Sequence, residues 1–449
     1  MSKFEMGDMI LVSVDDHVTE PPDAFIRHFP ENLRSRAPRV EHVDGADSWI
    51  WEGQKYPSMG LNAVVGRPRS EYGMEPTAYS QIREGVYDVK ARIDDMNVNG
   101  VLGSLCFPTF PTFAGSVFLK TQDRKMALAA VRAYNDWNVY DWCGAAPGRL
   151  LPLSLLPLWD MKDTVAEIRR LSALNVHAVT IPDSPTACGL PSIHNDYWDP
   201  MWSALSDAKM VINCHIGAGG SAPHASNETP IDAWITTMPM SIANAAADWL
   251  HGSFWKRYPQ LRIALSEGGI GWVPYFLERA DFTHEHHHEW TFTDFGGERP
   301  SDVFKRHFMT CFIDDQFGLK NLEYMNEDMV SWECDYPHSD TVWPNCPEYL
   351  WAIVNEMPQT IVDKITHLNA MREFSYDPFS LLGRENCTVA ALREKAKHVD
   401  VSPRYNLGGL RAESSNVVGQ ARKPVTSGDI QKMFAAAMTG QKADACADL

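Results

Sequence analysis

Five side chains able to bind a metal or move a proton stand at the ends of apolar runs. Asp15 and His17 end Val12-Ser-Val-Asp-Asp-His-Val, and His215 ends Val-Ile-Asn-Cys-His. Glu267 follows Ile-Ala-Leu-Ser, and Asp335 follows Val-Ser-Trp-Glu-Cys. A carboxylate or imidazole at the end of a buried run is costly unless it is paired or metal-bound. Such groups on separate runs therefore point to one shared cation. Side chains alternate along a strand, which places Asp15 and His17 on one face and Asp16 on the other. Imidazole with carboxylate suits zinc, manganese or iron, whereas calcium does not choose histidine. The expected ligands are Asp15, His17, His215 and Asp335, with Glu267 as a general acid/base beside one ion or a bridge between two. A water on such an ion is acidified, and Asp335 is placed to take its proton. His338 is expected as a ligand or a support for one, Asp340 as an outer partner, and Glu20 as a loop anchor near the site.

These positions make sense only if strands end at a common rim. After the first strand, residues 23–85 lack a sustained period and read as an insertion with a hairpin at Ser48–Tyr56. Apolar runs then recur at Val101–Phe107, Leu150–Leu156, Ala178–Ile181, Val211–His215, Arg262–Ser266, His307–Ile313 and Met329–Cys334. Helical patterns lie near 86–99, 122–143, 160–174, 199–208, 239–256, 272–288 and 318–327. This alternation predicts an α/β fold with parallel strands, a (β/α)₈ TIM barrel first and an open doubly wound sheet second. Chemistry in such a barrel sits at the carboxyl ends of the strands. The barrel is expected over 1–384, with 385–449 as a C-terminal extension and candidate oligomerisation arm.

The bulk numbers narrow the partners. Net charge is −18, from 40 basic and 58 acidic residues, which argues against nucleic acid or an anionic membrane. Nine cysteines without a C-x-x-C pair suggest reduced thiols rather than a disulfide framework or zinc ribbon. No signal-peptide layout or bilayer-length apolar run is present, so a cytoplasmic location is expected.

Four motifs in order carry a resemblance. D-x-H-x-x-E-P at Asp15–Pro21, H-x-G at His215–Gly217, S-E-G-G-x-G-W-x-P at Ser266–Pro274 and D-Y-P-H-S-D at Asp335–Asp340 resemble the amidohydrolase-2 family. That metal-dependent barrel family includes aminocarboxymuconate-semialdehyde decarboxylase and related decarboxylases, and the likeness runs over roughly residues 10–380. It implies a distorted barrel and one divalent metal. Two positions depart: Asp15 stands where the family often has the first His of H-x-H, and Glu267 where its decarboxylases carry a catalytic His. In this richness of carboxylate the chain is similar to a small branch of dinuclear Fe/Mn or Fe/Fe oxygenases, 2-aminoisobutyrate hydroxylase-like. The first expectation is hydrolysis or non-oxidative decarboxylation of a small organic acid or amide, through a metal-bound water or metal-chelated substrate. The alternatives are hydroxylation of an aliphatic C–H bond of a small amino or carboxylic acid, and a non-catalytic barrel subunit of a hetero-oligomer. A homo- or hetero-oligomer is expected in each case.

Other residues carry two readings each. Phe107, Phe110 and Phe113, and His194 with Trp198, either line a substrate pocket or pack. Arg67 and Arg69 either clamp a substrate carboxylate or are solvated. His284-Glu-His-His-His288 matches H-E-x-x-H literally, but its uniformly polar surroundings read as a solvated or rim cluster. His251 and His307 read as structural.

Overall fold

Apolar runs buried on both faces build the frame. A computed structural model describes residues 4–43, 45–57, 59–73, 76–219, 222–410 and 423–439. β1 (Leu11–Val18) is buried at every position, as a stave covered on both sides requires. The insertion that follows forms a separate antiparallel sheet of β2 (Arg39–Val43), β3 (Ala46–Trp51) and β4 (Gln54–Tyr56). It contains the hairpin expected from the sequence, with Trp49 opposite Tyr56 and Trp51 opposite Gln54. Parallel pairing then runs from β1 to β5 (Val101–Pro108) and on to β6 (Leu150–Leu151). A second parallel series runs through β7 (Ser154–Leu155), β8 (Ala178–Thr180), β9 (Val211–His215), β10 (Arg262–Ser266), β11 (Phe308–Phe312) and β12 (Val330–Trp332). With β6 and β7 as halves of one stave, the architecture is a distorted (β/α)₈ barrel.

Two departures from regular closure have local causes. The strand expected over 150–156 is divided at Pro152, which has no N–H to give. Side chains satisfy the neighbouring backbone instead: Leu153 N donates to Asn138 Oδ1 at 3.2 Å, and Leu155 N to Asn135 Oδ1 at 2.8 Å. At the other seam the barrel closes beyond the end of β12. Asp335 N donates to Asp15 O at 2.9 Å, and His17 N donates to Tyr336 O at 2.7 Å. That seam sets the residues after β12 beside the carboxyl end of β1, which carries Asp15 and His17.

The outer layer comprises α1 (Val89–Val98), α2 (Arg124–Asp136), α3 (Met161–Ala173), α4 (Asp199–Ala208), α5 (Ser241–Leu250), α6 (Val273–Thr291), α7 (Pro300–His307) and α8 (Cys346–Val354). Asp88, Asp123 and Asp160 cap α1, α2 and α3 by accepting backbone N–H groups. α2 continues as a π-helix over Trp137–Cys143. α7 is absent from the sequence reading; eight residues long, it begins at a proline and buries Val303, Phe304 and His307. The helix expected at 318–327 is instead a short one, Gln316–Lys320, followed by 3₁₀ turns.

Past the barrel, α9 (Val389–Lys395) docks on its underside, with Val389 N donating to Met9 O at 2.8 Å. Residues 400–410 then run over the insertion: Arg404 N donates to Gly66 O, and Asn406 N to Glu71 Oε2. α10 (Ser427–Thr439) begins beside the loop after β9, where Ser427 N donates to Thr229 O and Ile231 N to Val425 O. Expectations that fall on 411–422 and 440–449 lie outside the described residues. No helix among the described residues is long and apolar enough to cross a membrane.

Candidate metal centre

Asp15, His17, His215, Glu267, Asp335 and His338 converge at the carboxyl mouth of the barrel. His17 Nε2 lies 3.2 Å from His215 Nε2. It stands 3.6 Å from Asp15 Oδ1 and 3.3 Å from Asp335 Oδ1. His215 Nε2 is 3.5 Å from Asp15 Oδ2 and 3.0 Å from Glu267 Oε2. His338 Nδ1 approaches Asp335 Oδ1 at 2.9 Å. Ligand atoms of His17, Glu267, Asp335 and His338 all fall within 4.8 Å of one another, as do those of Asp15, His17 and His215.

The donor set fits a divalent metal. Both oxygens of Asp15 and of Asp335 are buried without a well-formed hydrogen bond, a costly state for a carboxylate without a cation. His215 Nδ1 lies 2.6 Å from Ile216 O, which can only accept. The Nδ1–H given there leaves Nε2 with its lone pair toward the cluster, the arrangement of a ligating imidazole. Without a cation the charges conflict. Burial raises the Asp15 carboxyl well above its usual range, and Glu333, Glu267 and Asp16 raise it further. Burial acts likewise on Asp335, reinforced by Glu267 and Asp15. At Glu267 burial also pushes upward, but its contact with His215 outweighs this and holds the group below the usual range. Burial lowers His338 to about 4.

Backbone geometry singles out two of these residues. Glu267 has φ 57° and Asp335 φ 55°, left-handed values that cost a non-glycine residue on the order of 1–3 kcal/mol. Each follows the last residues of its stave, where the turn aims the carboxylate inward. From behind, the buried Arg92 guanidinium donates to His17 O and, at 2.6 Å, to Gly85 O, while stacking 4.3 Å over the Tyr336 ring. It supplies a positive charge beneath the acidic cluster. Asp16 points away from the cluster to Ser13, Ser104 and Tyr336 N, as strand alternation predicts.

The remaining expected residues separate. Phe107 packs 4.9 Å from the His215 ring, and Phe113 lies still closer at 4.1 Å. Phe110 is a correction: it stacks on Trp49 at 4.6 Å, within the core shared with the insertion. His194 is another, exposed and bound to Asp248 on α5 at 2.8 Å. Trp198 packs against Trp202 of α4 and donates to Ser192 O, so it fills the outer layer. Glu20 accepts from Thr109 N and Phe110 N and anchors the loop carrying Phe113. Arg67 is held by Gln81 O and Gly408 O. The rings of His286 and His287 are taken up locally by Phe282 and Trp290 on the outside of α6. His307 Nδ1 meets Leu261 O at 2.8 Å, a structural contact.

One residue escaped the sequence reading. Glu333 is buried, and an oxygen of its carboxyl accepts from Glu267 N at 3.2 Å. Burial raises it well above the usual range, opposed by that hydrogen bond and reinforced by the Glu267 charge. Its signal was the two-residue offset from Asp335, the spacing of one strand face. A cavity of about 750 Å³ opens in front of the cluster, lined by Glu267, Glu333, Asp340, Trp272 and, from the insertion, Arg69 and Tyr72.

Comparison with known proteins identifies the family and the fold. A family model described as Amidohydrolase matches residues 84–375. No curated protein matches the sequence. Among solved structures, the chain is similar to an amidohydrolase from Mycobacterium avium subsp. paratuberculosis K-10 (17% identity, TM-score 0.61, covering 81% of this chain and 99% of that one). It is similar to 2,6-dihydroxybenzoate decarboxylase from Rhizobium (16%, 0.54, 82% and 99%). It is also similar to 5-carboxyvanillate decarboxylase from Novosphingobium aromaticivorans DSM 12444 complexed with manganese and 4-hydroxy-3-methoxy-5-nitrobenzoic acid (17%, 0.57, 83% and 98%). At these identities the likeness shows the fold.

Proposed function

The chain belongs to the amidohydrolase family, and we propose that it is a metal-dependent enzyme acting on a small organic acid or amide by hydrolysis or non-oxidative decarboxylation. The observation that carries this reading is the set of Asp15 and Asp335 oxygens buried without a well-formed hydrogen bond beside two imidazole nitrogens 3.2 Å apart. Asp15, His17, His215 and Asp335 are the residues that hold the ion. A divalent cation supplies Lewis acidity toward a substrate oxygen when bound. Glu267, on the cavity side and 3.0 Å from His215, takes or returns the proton. His338, neutral at ordinary pH, orients Asp335. Arg69 at the rim presents a guanidinium fork to a substrate carboxylate.

The decarboxylases among the similar structures are named for hydroxylated aromatic acids, so 2,6-dihydroxybenzoate and 5-carboxyvanillate are the first substrates to offer. The test combines elemental analysis of the purified chain with carbon dioxide release from these acids and amide hydrolysis. Bound metal with turnover that His215→Ala abolishes supports the proposal; a metal-free chain that shows no affinity for zinc, manganese or iron defeats it.

Charge counting favours a second reading. Asp15, Glu267, Glu333 and Asp335 bring four buried carboxyl groups, which when all ionised carry twice the charge of one divalent ion. A second ion balances them. Two ions including iron, with oxygen consumed on substrate addition, identify the dinuclear oxygenase chemistry. One zinc or manganese without oxygen uptake identifies the hydrolase or decarboxylase.

A further inference from the structure

Behind the cluster lies a pair of thiols that the proposed chemistry does not use. Cys334 sits between Glu333 and Asp335, and Cys346 is the first residue of α8. Their Sγ atoms are 3.6 Å apart, and both side chains are buried. Asn99, just past α1, holds them together. Its Nδ2 donates to Cys346 Sγ at 3.1 Å and lies 3.6 Å from Cys334 Sγ, while its Oδ1 accepts from Cys346 N at 3.1 Å. Thr341 Oγ1 touches Cys334 Sγ at 3.3 Å, and Thr341 also lines the cavity in front of Glu267. One residue thus separates the pair from the space that admits small molecules. Burial pushes the Cys346 thiol up, but hydrogen bonds from Cys334, Asn99 and Thr341 outweigh it and hold the group below its usual range, which favours the thiolate.

We propose that Cys334 and Cys346 form an oxidation site, converted by a hydroperoxide that enters through the cavity into a disulfide that displaces Asp335. The Cys346 sulfur attacks one peroxide oxygen; the O–O bond breaks, one water leaves, and Cys346 carries S–OH. The Cys334 sulfur then attacks the Cys346 sulfur; the S–O bond breaks, and the hydroxide leaves as a second water with the Cys334 proton. Two thiols and one hydrogen peroxide give one disulfide and two waters, the dithiol losing the two electrons that the peroxide gains. Bonding closes the present 3.6 Å contact and ties Cys334 to α8, a constraint placed on the residue next to Asp335. The Asp335 amide is bonded to Asp15 O, so both expected ligands feel that constraint.

The test uses the full chain loaded with manganese, which avoids iron-driven peroxide chemistry, and treated with hydrogen peroxide. Peptide mapping without reductant should find Cys334 joined to Cys346 with the loss of two hydrogen atoms. Metal affinity should fall about 10- to 100-fold, the usual effect of disturbing a ligand's support. Dithiothreitol should restore both. Cys346→Ser should give no cross-link and keep its metal under the same peroxide; if that variant fails to fold, the mapping of the unaltered chain still decides. The proposal is overturned if the half-buried Cys188 oxidises while Cys334 and Cys346 remain thiols, or if the cross-link forms with metal affinity unchanged. The mapping reads a covalent bond, so its outcome is independent of the catalytic assignment.

Discussion

Asp335→Asn should change stability in opposite directions with and without metal. Asp335 is fully buried, and its carboxyl is raised by burial and then by the charges of Glu267 and Asp15. Ligand atoms of Glu267 and Asp335 lie within 4.8 Å, where two unit charges repel by about 3 kcal/mol at an effective dielectric of about 20. Asparagine keeps the shape and removes the charge. The chelator-treated variant should therefore be more stable than the unaltered chain by about 1–3 kcal/mol, the lower end applying where proton uptake by Asp335 has already relieved the repulsion. With manganese present the sign should reverse. The same electrostatic scale, at 1.4 kcal/mol per decade, gives a loss of about 100-fold in metal affinity. Calorimetry in EDTA and in manganese, with a direct metal titration, measures both effects. If the variant is destabilised equally in the two conditions, Asp335 is a structural prop and the reasoning fails.

Three further outcomes are expected. Burial raises Asp16 to about 6 and Glu20 to about 7. A raised acid stabilises the fold below its unfolded pKa near 4, and that stability is lost as pH climbs through the folded value. Asp16 and Glu20 together should contribute a loss on the order of 4 kcal/mol between about pH 5 and pH 8, read in the metal-free chain as the difference from an Asp16→Asn/Glu20→Gln variant, which lacks it. Melting temperatures of the two proteins that keep a constant difference over that range contradict the assignment. Glu267→Gln should lower turnover by about 10²- to 10⁴-fold while metal content, read by elemental analysis, stays close to that of the unaltered chain. His215→Ala should lose metal and activity together, whereas His284→Ala should keep both, because its ring lies on α6 against Phe295 and His288; loss of metal in the second variant would move the centre elsewhere.

The barrel is readable because its staves are short, apolar and separated by helices, and the candidate ligands because each stands where an apolar run stops. What escaped depends on partners distant in sequence. Pro152 divides a strand that looks continuous, and the replacements for its lost pairing come from Asn135 and Asn138 on the preceding helix, whose side-chain amides read as ordinary helical positions until that helix packs on the strand. Phe110 and Phe113 are equally spaced aromatics in one loop. Glu20 clamps the amides at 109 and 110, and a left-handed Thr112 (φ 65°) turns the chain, so only Phe113 reaches the imidazoles. His194 and Trp198 follow a strand as pocket residues should, but Asp248 and Trp202 claim them. Glu333 was overshadowed by its neighbour, since a glutamate beside an aspartate at a strand end reads as solvated until the cluster is assembled.

The run of residues 400–410 over the loop at 66–71 has a consequence for how this enzyme is remodelled. Arg69 and Tyr72 lie before the segment that the family model matches, and the stretch fastened across their loop lies after it. The gatekeepers of the entrance can therefore diverge while the ion-holding frame stays constant, provided both pieces travel together. Transplanting the loop alone into a related barrel would take Arg404 N from Gly66 O and Gly408 O from the Arg67 guanidinium. A chimera carrying both halves keeps those bonds and exchanges only selectivity.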